Sequence, residues 1–293
     1  MANLKEVRNR IASTQSTQQI TKAMKLVSAT KLRRAQQAIT KMRPYASKLN
    51  AILVNLGDAA KGDSQLRKYF EYKEAKKALV VVISSDRGLC GAFNSNVIKA
   101  TRRILIDKYK EEGTEAHLLF LGKKAYDPFK KMDVESNTKY MSHLQDINST
   151  TIFDLGQKII DVYSDGDYDE VRLIYNHFIN AATQEIRVEK MLPVEIENFE
   201  SSDSKLQNDY IFEPDKSEIL FHLVPRAIKT QLYKACLDSL ASEHGARMVS
   251  MDKATENAGE IIEKLKLKYN QARQAAITGE ILEIVGGAAA LDA

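Results

Sequence analysis

The chain has 293 residues and a net charge of +4, with 44% hydrophobic and 28% charged residues. This composition allows a buried core and excludes a disordered or fibrous protein. No apolar run approaches the roughly 18 residues that cross a bilayer, and the first residues lack the apolar segment of a signal peptide, so we expect no transmembrane segment. The two cysteines, Cys90 and Cys236, are too few for a disulfide framework or a metal site, which predicts a reducing compartment.

The first predicted element is a long basic helix. Residues 2–56 contain no glycine and a single proline, Pro44, which we expect to bend the helix or remove one backbone hydrogen bond. Residues 1–56 hold 11 lysines and arginines and one acidic residue, which predicts an acidic partner: nucleic acid, anionic lipid or an acidic protein surface. Residues that would lie on one face of this helix recur at steps of three and four, as in a coiled coil. This first-helix seam comprises Leu4, Val7, Ile11, Thr14, Gln18, Thr21, Lys25, Ser28, Leu32, Ala35, Ile39, Met42, Ala46, Leu49, Leu53 and Leu56.

The segment that starts at Gly57 is rich in glycine and small polar residues, which predicts the end of this helix. From Lys76 onwards, apolar runs alternate with helical patterns, as in repeated β-α-β units, and this predicts a small Rossmann-like sheet. The predicted strands are 78–84, 116–121, a weaker 134–140, 171–178 and an edge strand at 186–192. The predicted helices are 94–111, 123–131 and 150–164, the first of them capped by Asn94 or Ser95.

The last predicted element is a second long helix. Residues 190–217 are polar and irregular, and Pro225 suits the first turn of a helix that then runs without proline from Arg226 to Leu291. At 1.5 Å per residue this helix is on the order of 100 Å long. Its last-helix seam comprises Leu237, Ala241, His244, Met248, Met251, Thr255, Ala258, Ile262, Leu265, Tyr269, Ala272, Ala276 and Gly279.

The predicted fold is α/β, with a long antiparallel coiled coil of N- and C-terminal helices and an inserted Rossmann-like α/β domain. We expect the N-terminal helix in residues 1–57, the α/β domain in 75–213, and the C-terminal helix, paired with 1–57, in 216–293. Gly245, Gly259 and Gly279 each weaken the last helix by about 1 kcal/mol relative to alanine, so we expect a close approach to compensate. The apolar end, Ile281–Leu291, predicts a tip held in an apolar sleeve or a frayed terminus.

Two segments could carry chemistry. The Ser84–Gly91 turn follows a strand, where α/β folds bind ligands, and its two glycines could expose N–H groups to a phosphate. It matches neither nucleotide-binding motif, so a tight strand-to-helix turn is favoured. Cys90 has no histidine near it in sequence. The acidic run Asp165–Glu170 lacks the ligand spacing of a calcium loop, which favours a solvated turn. We expect no catalytic, cofactor-binding or metal-binding residue.

Four stretches together resemble the gamma subunit of the F-type rotary ATP synthase. The resemblance covers both ends of the chain and the first strand-turn unit, and the motifs occur in the matching order. The stretches are Ile20–Leu32 (ITKAMKLVSATKL), Ser85–Gly91 (SDRGLCG), Ala241–Val249 (ASEHGARMV), and Tyr269–Thr278 (YNQARQAAIT), which runs into Glu283–Ala290.

This resemblance implies a central-stalk rotor that transmits torque between the membrane c-ring and a catalytic ring of alpha and beta subunits, with the epsilon subunit against its foot. Catalysis would reside in the beta subunits, and the chain would be peripheral on the cytoplasmic face of a bacterial inner membrane. By matching motif, Tyr210 and Glu213 would face the c-ring. The beta-subunit contacts would be Met24, Arg247, Arg273, Gln274, Thr278 and Glu280.

Two alternatives arise from the residues themselves. The Gly88–Gly91 turn motivates a nucleotide-dependent enzyme with coiled-coil arms. The basic first helix motivates a coiled-coil protein that binds nucleic acid, although it lacks interleaved aromatic residues and any recognised nucleic-acid module.

Overall fold

The computed structural model describes residues 4–62, 66–132, 134–144, 147–194, 213 and 215–291. The chain divides into two compact units. One is formed by Met1–Ser28 with Met248–Ala293, and the other by Ala29–Arg247. Of the helices in these ranges, none has an apolar stretch long enough to span a membrane.

The second unit contains a five-stranded sheet in the order β3-β2-β1-β4-β5. β1 pairs in parallel with β2 and β4, and β2 with β3, whereas β4 and β5 are antiparallel. The strands alternate with helices in sequence, and such crossovers produce parallel pairs. Four of the five predicted strands and the Rossmann-like arrangement are thus confirmed. The strands are β1 Lys77–Ile83, β2 Glu115–Leu121, β3 Ser136–Asn137, β4 Glu170–Phe178 and β5 Gln184–Leu192.

Both faces of the sheet are buried, and β1 shows how. Leu79, Val81 and Ile83 point into the larger apolar core, which also contains side chains of the first, fifth and sixth α-helices. Ala78, Val80 and Val82 point into the core on the other face, under the third α-helix. Alternation between two buried faces explains why this strand reads as one continuous apolar run. The α-helices are α1 Leu4–Gly62, α2 Arg67–Phe70, α3 Phe93–Arg103, α4 Tyr126–Phe129, α5 Ser149–Ser164 and α6 Lys216–Leu291.

Three elements of the α/β region differ from the prediction. The helix expected at 94–111 is α3 followed by a π-helical segment, Ile104–Lys110, whose Lys108 and Tyr109 side chains donate to the buried carboxylate of Glu170. The helix expected at 123–131 is the single turn of α4. The strand expected at 134–140 has only the two residues of β3, because its sequence is mostly polar and weakly β-forming.

In the first unit, α1 and α6 pair in an antiparallel sense. The hydroxyls of Thr21 and Thr255 lie 2.8 Å apart, and Lys25 forms an ion pair with Asp252. Residue numbers therefore rise along α1 while those of the partners on α6 fall. Each described residue of the first-helix and last-helix seams is buried or half-buried, as predicted. The fully buried positions in this unit are Val7, Thr21, Ser28, Met251, Ala258 and Ile262.

The two helices also meet in the second unit, where Leu49 and Leu53 of α1 share the larger core with side chains of α6. The Arg226 Nε donates to the Tyr45 hydroxyl, and the guanidinium also lies over the Tyr45 ring, 5.6 Å from its centroid. The antiparallel coiled coil predicted from the two seams is therefore confirmed.

Two predicted helix limits are wrong. Gly57 does not end α1, which continues to Gly62, because one glycine weakens a helix by only about 1 kcal/mol and the next residues include Ala59 and Ala60, good helix formers. Pro225 lies well inside α6, which begins at Lys216. Four apolar side chains around it are buried, and together they offset the proline cost of about 3 kcal/mol. They are Leu220, Val224, Ala227 and Ile228.

Most of the predicted 190–217 loop, and Tyr210 with it, lies outside the described residues, and the expected domain limits remain predictions.

Candidate functional site

The turn between β1 and α3 holds its own shape through side-chain contacts. The Ser85 N–H donates to Asn94 Oδ1 at 3.1 Å, and the Ser85 hydroxyl donates to the Arg87 carbonyl at 2.7 Å. Asn94 Nδ2 lies 3.2 Å from Cys90 Sγ. At the tip, Leu89 has φ of 64°, a left-handed conformation that leucine rarely adopts. The rest of the structure must hold such a conformation in place.

Arg247 of α6 lies directly under this turn. Its Nη2 donates to the Arg87 carbonyl at 2.9 Å, and its Nε donates to the Gly88 carbonyl at 3.4 Å. Its Nη1 forms an ion pair with Glu243, one helical turn earlier, at 2.7 Å. Arg247 is only 7% exposed. The guanidinium therefore joins the turn to α6 and is itself fixed by a buried carboxylate.

Burial shifts the ionisation of the two groups beside Arg247. The pKa of His244 is lowered to about 3 by burial and by the positive charges of Arg247 and Lys31. Its Nδ1 lies 3.2 Å from Arg247 Nη1, so the neutral ring can accept a hydrogen bond from the guanidinium. Burial raises the pKa of Glu243, and the nearby Arg247 opposes that rise.

The contact between turn and helix is also apolar. Cys90, Phe93 and Ala246 form a small buried cluster at this place. Burial raises the pKa of the Cys90 thiol, which disfavours the thiolate and therefore a nucleophilic role. Cys236 is buried as well, and both thiols are free.

The phosphate-binding alternative for the turn gains no support from this geometry. The carbonyls of Arg87 and Gly88 bind Arg247, so the turn serves the contact with α6, and the prediction of a tight strand-to-helix turn is confirmed. The predicted capping is wrong. Helix α3 begins at Phe93 after Ala92, which makes no side-chain cap, and Asn94 reaches back to Ser85 from the first helical turn.

Residues 165–169 of the acidic run form a turn, as favoured, but the prediction of a solvated turn is wrong for Glu170, which is buried and begins β4. The Asp169 carboxylate accepts from the backbone N–H groups of Lys76 and Lys77, and the buried Glu170 pairs with Lys108 and Arg172. Across the described residues, no group of acidic, histidine and cysteine side chains is arranged to hold a metal ion.

The structure separates the residues suggested by resemblance into three environments. Met24 is half-buried beside the first-helix seam, and Arg247 is buried as described above. Glu213 is exposed, whereas Tyr210 lies outside the described residues. Four residues near the end of α6 are exposed: Arg273, Gln274, Thr278 and Glu280.

Large apolar side chains are also exposed in the first unit. Leu26 is 63% exposed and Leu267 is 62% exposed, although both belong to helices that bury a seam elsewhere. Single exposed apolar residues are ordinary, but a series along one coiled coil indicates a surface that a partner covers. The others of this exposed apolar set are Ile20, Val27, Ile261, Ile277, Ile281, Leu282, Ile284 and Val285.

Sequence reasoning missed the support of the turn by Glu243, Asn94 and Ser85. The i,i+4 spacing of Glu243 and Arg247 beside the buried His244 was the available signal, because a charged pair next to an apolar seam indicates a buried ion pair. The partners of Arg247 on the turn, Gly88 and Arg87, lie 159 and 160 residues away in sequence, a distance that no local pattern spans.

Comparisons with known proteins agree with this architecture. Residues 3–291 match the family model described as ATP synthase. The chain is 50% identical to the ATP synthase gamma chain of Cytophaga hutchinsonii, with 100% of each chain covered. It is 44% identical to that of Geobacter metallireducens, with 98% of each covered.

Solved structures show the same fold at low sequence identity. A chain of the Tetrahymena thermophila mitochondrial ATP synthase, from a structure of the central stalk and c-ring, is 24% identical with a TM-score of 0.56, covering 80% of this chain and 99% of that one. A chain of the Euglena gracilis mitochondrial ATP synthase is 21% identical with a TM-score of 0.64, covering 98% and 94%.

The paired terminal helices and the five-stranded sheet between them in sequence thus define a coiled-coil protein with an inserted α/β domain, a fold also found in mitochondrial ATP synthases. The chain belongs to the ATP synthase family, and the relatives it matches along its whole length are gamma chains.

Proposed function

We propose that this chain is the central rotor subunit of a proton-translocating ATP synthase and transmits torque between the membrane c-ring and the catalytic ring of alpha and beta subunits. The observation that carries the proposal is full-length identity of 50% to a gamma chain, combined with an antiparallel coil of the two terminal helices. Two helices packed along a seam resist twisting better than one, as torque transmission requires.

Most of the proposed contacts with the beta subunits would lie on the first unit. The exposed Arg273, Gln274, Thr278 and Glu280 and the half-buried Met24 would meet the beta subunits. The basic first helix supports an acidic partner, because residues 1–56 carry 11 positive residues and one acid; five of those positive residues and the acid lie in residues 1–28, the part within the first unit. Arg247 belongs to the same set by motif, although it is buried.

The foot would be the α/β domain. We propose that Glu213, which is exposed, and Tyr210 face the c-ring, and that the epsilon subunit packs against the domain. The chain would have no catalytic residue and no cofactor of its own, with catalysis in the beta subunits. It would be peripheral on the cytoplasmic face of the bacterial inner membrane, in keeping with its bacterial gamma-chain relatives.

The proposal is tested by tagging the chain at its natural expression level and identifying what co-purifies. Recovery of alpha, beta and epsilon subunits with ATPase activity is the expected result. The matched control is the Ile262→Asp variant, which places a charge in the buried last-helix seam. This variant should no longer co-purify with the alpha and beta subunits, although its α/β domain remains folded. Recovery of the chain alone, or with nucleic acid, would overturn the proposal.

A further inference from the structure

We propose that Arg247 is a positioning residue: it locks the Ser84–Gly91 turn onto α6 and acts on the catalytic ring only through that turn. This inference rests on the proposed function and goes beyond it, because it assigns how the residue works. It makes Arg247 an internal joint between the α/β domain and the long helix, in place of a side chain that itself touches a partner.

The first support is that all three guanidinium nitrogens already have hydrogen-bond acceptors. Its Nε, Nη1 and Nη2 all have acceptors within the chain: Gly88, Glu243 and Arg87. A planar fork of this kind is suited to holding several acceptors at once, which a lysine ammonium cannot do in the same geometry. With 7% of the residue exposed, little of it remains for a partner to contact.

The second support is the conformation that the contact maintains. The two carbonyls bound by Arg247 immediately precede Leu89, which has the left-handed φ of 64° and is 64% exposed. Arg87 is exposed too, while its carbonyl is held from below. Fixing the backbone on the buried side therefore fixes which side chains the turn presents outward.

The third support is that the turn has a separate anchor. Asn94 binds the Ser85 N–H, the Ser85 hydroxyl and the Cys90 thiol, and none of these contacts involves Arg247. Two different side chains thus hold one turn. This allows the direct and indirect roles of Arg247 to be separated, because Asn94 can loosen the turn while the guanidinium stays unchanged.

The experiment compares Arg247→Lys, Asn94→Ala and the double variant with wild type, in the full-length chain and in the assembled complex. Arg273→Ala is the matched control, since it removes an exposed arginine from the same helix. In the free chain, hydrogen exchange is followed at the amides of Phe93 and Lys124, which donate to Cys90 and Ser85 across the turn. In the complex, the ratio of protons pumped to ATP hydrolysed is measured.

Both single variants should speed exchange at these amides by about tenfold and lower the coupling ratio alike, while the amides of β4 keep wild-type exchange. The double variant should be little worse than the more severe single variant, because both act through one turn. Arg273→Ala should leave exchange in the turn unchanged.

Two results would overturn the inference. Wild-type exchange in Arg247→Lys would mean that the guanidinium does not hold the turn. Faster exchange with unchanged coupling in Asn94→Ala, beside reduced coupling in Arg247→Lys, would mean that the guanidinium acts directly. If β4 exchange shows that Arg247→Lys is unfolded, Glu243→Gln replaces it, because it releases the guanidinium from its carboxylate. A wild-type chain that fails to assemble would instead count against the proposed function, and the exchange result on the free chain would still stand.

Discussion

At the scale of single residues, the charged group on α6 beside the strand-to-helix turn is the feature with the largest consequences. Glu243, His244 and Arg247 are all buried, and burial is tolerated because the carboxylate pairs with the guanidinium and the imidazole stays neutral. The stability of this group must therefore depend on pH.

We expect His244 to make the chain acid-sensitive. Its folded-state pKa of about 3 lies below the ordinary value of 6.5, so the unfolded chain binds a proton first. The contribution is complete above pH 6.5 and is lost progressively as pH falls towards 3. At pH 4.5 the loss from this group should be about 2–3 kcal/mol.

Urea unfolding at pH 7.5 and 4.5 measures this effect. His244→Gln, which has no titrating group, should lose less stability over the same interval than wild type, while other groups titrate in both chains alike. An equal loss in the two chains would contradict the assignment.

Two glycines of α6 form a matched pair. A Cβ on Gly245 would lie 3.2 Å from the Cα of Ala181, whereas a Cβ on Gly279 would meet no atom within 4 Å. At Gly259 the neighbouring atom is Gln18 Nε2 at 3.1 Å, the end of a flexible side chain, so the expected close approach to backbone is found at Gly245 and not at Gly259 or Gly279.

Gly279→Ala should therefore stabilise the chain by about 0.5–1 kcal/mol, the gain in helix propensity. Gly245→Ala should destabilise it by about 1 kcal/mol or more, because the backbone at Ala181 must shift to admit the methyl group. Thermal unfolding of both variants measures the difference, and two shifts of the same sign would refute this account.

At the scale of elements, the seams of α1 and α6 have an apolar part and a polar part. Ile262 and Met251 are buried as apolar contacts, while Thr21 and Thr255 meet through a hydroxyl pair. Polar seam positions cost stability and favour one register, because a shifted pairing would leave the hydroxyls against apolar neighbours. Beyond Gly279 the seam ends, and residues 281–287 are all exposed.

Breaking the seam should therefore cost more than shortening the tip. Ile262→Ala should destabilise the chain by about 2–4 kcal/mol, from lost burial and the cavity that remains. Removing the residues after Val285 should change stability by less than about 0.5 kcal/mol, since Gly286 and Gly287 are exposed. Denaturant unfolding of both variants measures this, and equal losses would show that the tip contributes a specific contact.

Sequence alone was sufficient for the elements that follow a local pattern. The seams followed from a three-to-four-residue spacing, and β1 from its continuous apolar run. Helix limits failed at Gly57 and Pro225, where local propensity opposed the helix but alanine-rich sequence or burial outweighed it. The position of Arg247 could not be foreseen, because its partners on the turn are fixed by tertiary packing across about 160 residues of chain.

At the scale of the whole molecule, the exposed apolar set agrees with the proposal that the subunits of the catalytic ring cover the first unit. Ile277 and Ile284 are 45% and 72% exposed, an arrangement that costs solubility in a free chain unless a partner covers it. The α/β unit, in contrast, buries both faces of its sheet internally.

Cysteine labelling measures that enclosure. The native thiols of Cys90 and Cys236 are buried, so Leu267→Cys, at a position 62% exposed, should dominate labelling of the free chain. In the assembled complex its labelling should slow by at least about tenfold. Val7→Cys, at a position 7% exposed, is the control that should react slowly in both states. Unchanged labelling of Leu267→Cys would place this face outside the ring.

The pairing of α1 with α6 also affects the order in which the chain can fold during its synthesis. Thr21 meets Thr255, 234 residues later in the chain, so the first helix leaves the ribosome long before its partner exists. At about 5–20 residues per second, the wait lasts on the order of ten to fifty seconds. During that interval the apolar positions of the first-helix seam have no partner helix. One face of the sheet also lacks its cover, because the larger core contains side chains of α6. The newborn chain therefore completes both the coil and the larger core of the sheet only when its last helix has been translated.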